Sequence, residues 1–227
     1  MTTTASETTT TIRLSPARAA GVGALGFAMG VFVQNAFLLA GLPDASAPAS
    51  EAATWLAENR ARATAASTVV GLNLPLLLLF VASLRTLARD AQPARLWIDL
   101  GTLGVVVLVA LFGVVASTQI ASTMLAEGGA TPVFAALWSL HNATFALTFT
   151  ALGTALLGFS IGAYVARITP AWQRGVGLLG ATLLLVAGLA NGAVAEGSPI
   201  LYVGLGGFAL WIVWLVATGV RLVRRSE

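Results

Sequence analysis

Nine side chains that can hydrogen-bond strongly or ionise stand within, or at the ends of, otherwise apolar stretches: Gln34, Asn35, Asn73, Gln119, Trp138, His141, Asn142, Asn191 and Glu196. Amides, an imidazole and a carboxylate in hydrocarbon are costly unless they are paired or wet. Gln34, Asn35, Gln119, Asn191 and Glu196 fall near one end of their segments, and His141 and Asn142 begin about 13 Å in, at 1.5 Å per residue. Asn73 is near mid-depth, two residues before Pro75, whose ring frees a backbone carbonyl one turn back near Gly71. Trp138, His141, Thr144 or Phe145, and Thr148 recur at spacings of three and four and share one helix face. An aromatic wall with an imidazole and hydroxyls is what a small-ligand pocket uses.

Three chemistries fit such a set. The groups can line an outward-facing polar pocket that binds or moves a small molecule. They can bond helices to one another, at about 0.6 kcal/mol per contact. Or His141 or Glu196 can serve as acid–base in an intramembrane enzyme acting on a lipid-like substrate, which requires the two, or one of them and Asn142, within hydrogen-bond reach. Nothing in the residue types singles out a catalytic group, and the set is read as ligand-binding. A fourth reading is a structural or partner subunit that uses small-residue faces for assembly, including assembly with copies of itself.

Composition removes several alternatives. The chain has no Cys, so thiol catalysis, disulfides and thiolate metal sites are out. It has no Lys, which excludes a Schiff-base cofactor. One His cannot make a bis-His haem or a His-x-x-x-His zinc pair. No cofactor or metal site is expected. The net charge of +3 resides in arginines that flank apolar segments, so it points to topology and not to nucleic acid.

The elements holding these groups must be membrane helices. Of 227 residues, 57% are hydrophobic and only 9% charged, and about 20 apolar residues cross a bilayer. Six spans are predicted, at about 18–41, 63–84, 96–122, 132–165, 175–194 and 199–220. The fold class is therefore all-α: a polytopic membrane protein, a six-transmembrane-helix bundle forming one domain from 18 to 220. Residues 1–17 read as a disordered tail and 221–227 as a second tail. Ala45-Ser46-Ala47 resembles a cleavage site, but the first apolar stretch is longer than a signal peptide's. The long fourth span is expected to tilt or bend, at Gly153 or Gly158. A short amphipathic helix from Glu51 to Arg62, with Ser50 as N-cap, would either lie flat on the outer leaflet or extend the second span.

Ten arginines (Arg13, Arg18, Arg85, Arg89, Arg95, Arg167, Arg174, Arg221, Arg224 and Arg225) fall on one side, and only Arg60 and Arg62 on the other. The positive-inside rule then puts both termini in the cytoplasm, in the cell membrane. Trp97, Tyr164 and Trp172 would belong to the inner aromatic belt, Trp55 and Tyr202 to the outer. Asp99, a turn inside the third span, can pair with Arg95.

Each odd-numbered span opens alike. Pro16-Ala17-Arg18, Pro93-Ala94-Arg95 and Pro170-Ala171-Trp172 have their prolines 77 residues apart both times, and each precedes a Gly-x-x-Gly: Gly23 and Gly26, Gly101 and Gly104, Gly177 and Gly180. This fits three helical hairpins related by an axis along the membrane normal, although Pro in a first turn and Gly in a span also recur by convergence. Gly21-Val22-Gly23-Ala24-Leu25-Gly26 matches a dinucleotide fingerprint in letters only, since no strand precedes it. Small residues here serve close helix approach. Trp211 and Trp214 on the sixth span read as packing or lipid-facing.

The stretch from Arg167 through Pro170, Trp172 and Arg174 to Gly175, Gly177 and Gly180 resembles a junction found in uncharacterised bacterial six-span integral membrane proteins, of the domain-of-unknown-function type. The resemblance implies a six-helix bundle and lends no site residues.

Overall fold

A computed structural model describes residues 15–38 and 41–225. Arg13 and the tails at 1–14 and 226–227 lie outside the described residues. The fold is all-α: α1 Pro16–Leu38, α2 Ala49–Glu58, α3 Arg60–Ala88, α4 Gln92–Leu125, α5 Pro132–Val165, α6 Ala171–Leu189, α7 Asn191–Ala195 and α8 Ile200–Arg224, with a 3-10 turn at Ala126–Gly128. Six of the helices, α1, α3, α4, α5, α6 and α8, are long and apolar enough to cross a membrane. The exposed side chains on them include Phe32, Leu72, Leu96, Leu103 and Leu189, as a surface solvated by lipid requires.

Each span packs on its neighbours in sequence, and α8 closes back on α1, so the six form a ring. Three hairpins, α1–α3, α4–α5 and α6–α8, make up that ring. In each, the first glycine of the similarly spaced pair approaches the partner helix at an aromatic residue: Gly23 at the Phe80 backbone, Gly101 at the Phe159 ring and Gly177 beside the Trp214 indole. Those three rings meet one another, with centroids 6.1 Å (Phe80–Phe159), 6.3 Å (Phe80–Trp214) and 6.4 Å (Phe159–Trp214) apart. One ring from each hairpin thus builds a nearly equilateral triangle, and Trp211 stacks on Trp214 beside it at 5.9 Å. Both tryptophans are fully buried, so neither faces lipid.

α5 is the most enclosed span. It is one unbroken helix, capped by Thr131, whose hydroxyl accepts from the Phe134 N–H at 3.2 Å. Gly153 and Gly158 are contact points within it: a Cβ on Gly158 would strike the backbone of α4 at Gly101 and Trp97, and one on Gly153 would meet Leu185 of α6. That absence of side chain lets α4 and α5 approach closely. α5 ends in a Schellman turn. Arg167 takes φ 58, its N–H bonds Tyr164 O at 2.9 Å, and the Ile168 N–H reaches Ala163 O at 2.8 Å.

Several boundaries differ from the sequence reading. Pro16 and Ala17 already belong to α1, and α8 runs on to Arg224, because arginine and alanine continue a helix well. The fifth span stops at Leu189. Ala190 breaks the helix, and Asn191, a poor helix former followed by Gly192, starts the separate α7. α2 begins at Ala49 with Pro48 in the cap position, so Ser50 is inside its first turn and not the N-cap. α2 does not extend α3, and it packs on the protein itself. Asn59 interrupts the two helices, and Ala52, Ala53 and Leu56 are buried against Phe134, Trp138 and Ala126 of the protein itself. An ion pair of Arg60 with Glu127 ties the start of α3 to the 3-10 turn.

Candidate functional site

The ring encloses a cavity of about 120 Å³ between the aromatic triangle and the end of the bundle opposite the arginines. Every span but α6 contributes to it. Phe27, Phe112, Phe145, Phe149, Phe208 and Trp211 are among its walls, with Leu77 and Leu152. Trp211 and Leu77 lie one turn from Trp214 and Phe80, so the triangle closes the cavity on the arginine-rich side.

Four polar side chains reach this space: Gln34 and Asn35 from the last turn of α1, Asn73 from the middle of α3 and Thr148 from α5. Two have spent hydrogen bonds on their own helices. The Asn35 amide donates to Val31 O at 2.8 Å, and the Thr148 hydroxyl donates to Phe145 O at 2.6 Å. Asn73 has not. It is 4% exposed, and its amide nitrogen is buried without a partner. Its carboxamide rests on Gly30 of α1, where any side chain would collide with it. Glycine at that point is what admits a polar group to the α1–α3 contact. A half-turn of the carboxamide exchanges its oxygen and nitrogen, so it can offer the cavity a donor or an acceptor.

The second polar cluster lies elsewhere. His141 is on the α4–α5 contact and does not line the cavity. Its Nδ1 is 3.1 Å from Val115 O and 3.2 Å from Thr118 Oγ1. A carbonyl only accepts, so Nδ1 carries the proton and donates to Val115, which ties the two helices. The ring stacks on Trp138, 5.6 Å between centroids and 6° from parallel, and Trp138 continues into the cluster beneath α2. No carboxylate or amide among the described residues bonds His141, so the acid–base pairing with Glu196 or Asn142 is not formed.

The remaining candidates are dispersed. Gln119 and Asn142 are half-buried on α4 and α5, and Asn191 is half-buried at the start of α7. Glu196 is exposed in the turn after α7. None of the four lines the cavity. Gly71 and Pro75 are also exposed, so the carbonyl freed by the proline faces outward and is not a ligand group for this site. The structure thus brings together Gln34, Asn35 and Asn73 of the nine, and joins Trp138 to His141 in a helix contact.

Sequence reasoning missed a polar clamp at the arginine-rich end. Gln173, 1% exposed, donates to Thr218 Oγ1 at 3.0 Å and Trp214 O at 3.3 Å, and Thr218 donates to Trp214 O at 2.8 Å. Between Trp172 and Arg174 it reads as a headgroup residue, although it lies four before the glycine that meets Trp214. At the same end, Asp99 pairs across helices with Arg85 at 3.0 Å, more closely than with Arg95 at 3.8 Å. At the opposite end, in the loop before α2, the Ser46 hydroxyl and then its N–H bond Asp44 and hold that carboxyl below the usual carboxylate range.

Compared with family models, with curated proteins and with solved structures, the chain has no significant match in any of the three.

Proposed function

We propose that this multi-pass membrane protein binds a compact, mostly apolar molecule bearing one hydroxyl or carbonyl in its central cavity. The observation that carries the reading is Asn73: a buried carboxamide with no hydrogen bond, on the wall of a void. Leaving such a group unpaired costs about 1–3 kcal/mol, and a ligand that pairs it recovers part of that. Size supports the class, since an apolar cavity of about 150 Å³ accepts benzene. Binding fits better than passage, because the Phe80, Phe159 and Trp214 rings stand between the cavity and the arginine-rich end. His141, held to α4, serves as a helix tie.

The test is thermal unfolding of the purified protein in detergent with phenol and with toluene. Both should stabilise it, phenol more. Asn73→Leu should erase the difference between the two, and Phe208→Trp, which fills the void, should erase both shifts. Equal shifts in all three proteins, or none in the wild type, would defeat the reading.

The proposal includes an orientation. Among the described residues Arg18, Arg85, Arg89, Arg95, Arg167, Arg174, Arg221, Arg224 and Arg225 lie at the end where α1 begins and α8 ends, against Arg60 and Arg62 at the other. That asymmetry supports a cytoplasmic arginine-rich end in the cell membrane, with the cavity toward the outside. The chain lacks Cys, so Ser46→Cys and Asp90→Cys report cleanly: an impermeant maleimide applied to intact cells should label the first and not the second.

A further inference from the structure

At the arginine-rich end the start of α6 and the end of α8 enclose a cleft of about 560 Å³. Trp172, Ala217, Val220, Arg221, Arg224 and Arg225 are among its walls, and no acidic side chain among the described residues lines it. The equivalent cleft between α3 and α4 is different: there Arg85 and Arg95 share Asp99, and Arg89 pairs with Asp90. One cleft is partly neutralised by its own carboxylates, and among the described residues the other is not.

The guanidinium groups of the α6–α8 cleft are partly anchored. Arg221 donates from Nε to Ile168 O at 2.9 Å, which leaves its two terminal amino groups without an acceptor among the described residues. Arg225 reaches Arg167 O only at 3.5 Å. The Schellman turn at Arg167 fixes both carbonyls, so the arginines are held at the mouth of the cleft and not spread over the surface. Like charges gathered in this way favour an anion between them, and forked guanidinium donors match phosphate oxygens.

The walls below are apolar. Ala217 and Val220 continue into lipid-facing α8, and Trp172, 56% exposed, has the amphipathic ring that settles at the headgroup level. A free anion has no use for that wall, whereas a phosphodiester attached to an acyl chain uses the whole of it. We infer that the α6–α8 cleft is a binding site for the phosphate headgroup of an anionic membrane lipid, with a chain running along α8. Basic pockets between spans recognise such headgroups.

The experiment uses the full-length protein in mild detergent and counts retained lipid by native mass spectrometry after addition of phosphatidylglycerol or phosphatidylcholine. The wild type should retain phosphatidylglycerol at least ten-fold more strongly. The double variant Arg224→Gln/Arg225→Gln should lose that preference, and Val220→Trp, which blocks the apolar wall without changing charge, should lose it too. Arg89→Gln, in the cleft that carries its own carboxylates, should keep it. Retention in the double variant equal to wild type overturns the assignment, as does full displacement by millimolar inorganic phosphate, which would make the site one for a free anion. Unfolding temperatures of the variants in phosphatidylcholine separate loss of binding from loss of fold.

Discussion

Gln173 and Asn73 are both carboxamides buried inside spans, and they do opposite things. Gln173 borders open space, at the α6–α8 cleft, but it spends both amide N–H groups on α8, through Thr218 and the Trp214 carbonyl. Asn73 spends nothing and borders a void. Burial alone therefore does not mark a site in a membrane bundle. The distinguishing feature is unused hydrogen-bonding capacity next to open space. The packed half has unpaired polar atoms too, such as Ser160 Oγ and the Trp214 indole nitrogen, but they are closed in by neighbours. Their cost is one that close packing offsets, and no ligand can reach them.

The largest effect expected from this contrast is in the packed half. Gly158→Ala places a methyl on the α4 backbone and should destabilise by about 1–3 kcal/mol, the usual cost of overpacking. Gly71→Ala is its control, because nothing lies within 4 Å of that position. It should unfold at or above the wild-type temperature in detergent, since alanine favours helix by about 1 kcal/mol over glycine. Equal losses in the two variants would show that the close α4–α5 approach contributes little.

Next come the two amides themselves. Gln173→Met keeps the length and removes the bonds, and should cost about 0.6–1.7 kcal/mol, the range for interhelical hydrogen bonds in a membrane. Asn73→Leu removes no bond and relieves an unpaired group, so its stability should equal or exceed that of the wild type, even though it abolishes the preference for phenol. Chemical or thermal unfolding of both in one detergent decides it. A loss at Asn73 as large as that at Gln173 would make Asn73 structural and dissolve the contrast.

Depth was legible in the sequence and azimuth was not. Six apolar runs and their arginine flanks fix the spans, and Thr131-Pro132 marks the start of α5 as an N-cap followed by proline does. The level of each amide follows from counting residues. Which neighbour it faces does not, because helices apolar on all sides carry no stripe to orient them. His141 and Asn73 are for that reason read as one set and found on separate helix contacts. Helix breaks are equally opaque. Asn59 and Ala190 interrupt helices without a proline, at or beside an Asn whose helix propensity is low but not prohibitive. The recurring Gly-x-x-Gly spacing was visible in the sequence, but the contact of Phe80, Phe159 and Trp214 became evident only when the three hairpins closed into a ring.

The smallest effect is expected where water competes, and it tests the premise that pairing matters because of hydrocarbon. Asp44 is paired as fully as Gln173, accepting from the Ser46 hydroxyl and N–H, but in an exposed loop. Its folded pKa is lowered, so whatever it contributes to stability is present above the unfolded carboxylate value, about 3.9, and is lost as pH falls through the folded one. Ser46→Ala should raise the Asp44 pKa toward the ordinary value in a carboxyl NMR titration, because the hydroxyl is the largest cause of the shift. Alanine keeps the Cβ that touches Gly197, so the packing of this loop on the turn after α7 is undisturbed. At pH 7 the unfolding temperature should not change. A drop comparable to that of Gln173→Met would mean that a solvated hydrogen bond counts as much as one between spans, and the reason for reading Asn73 as a site would go with it.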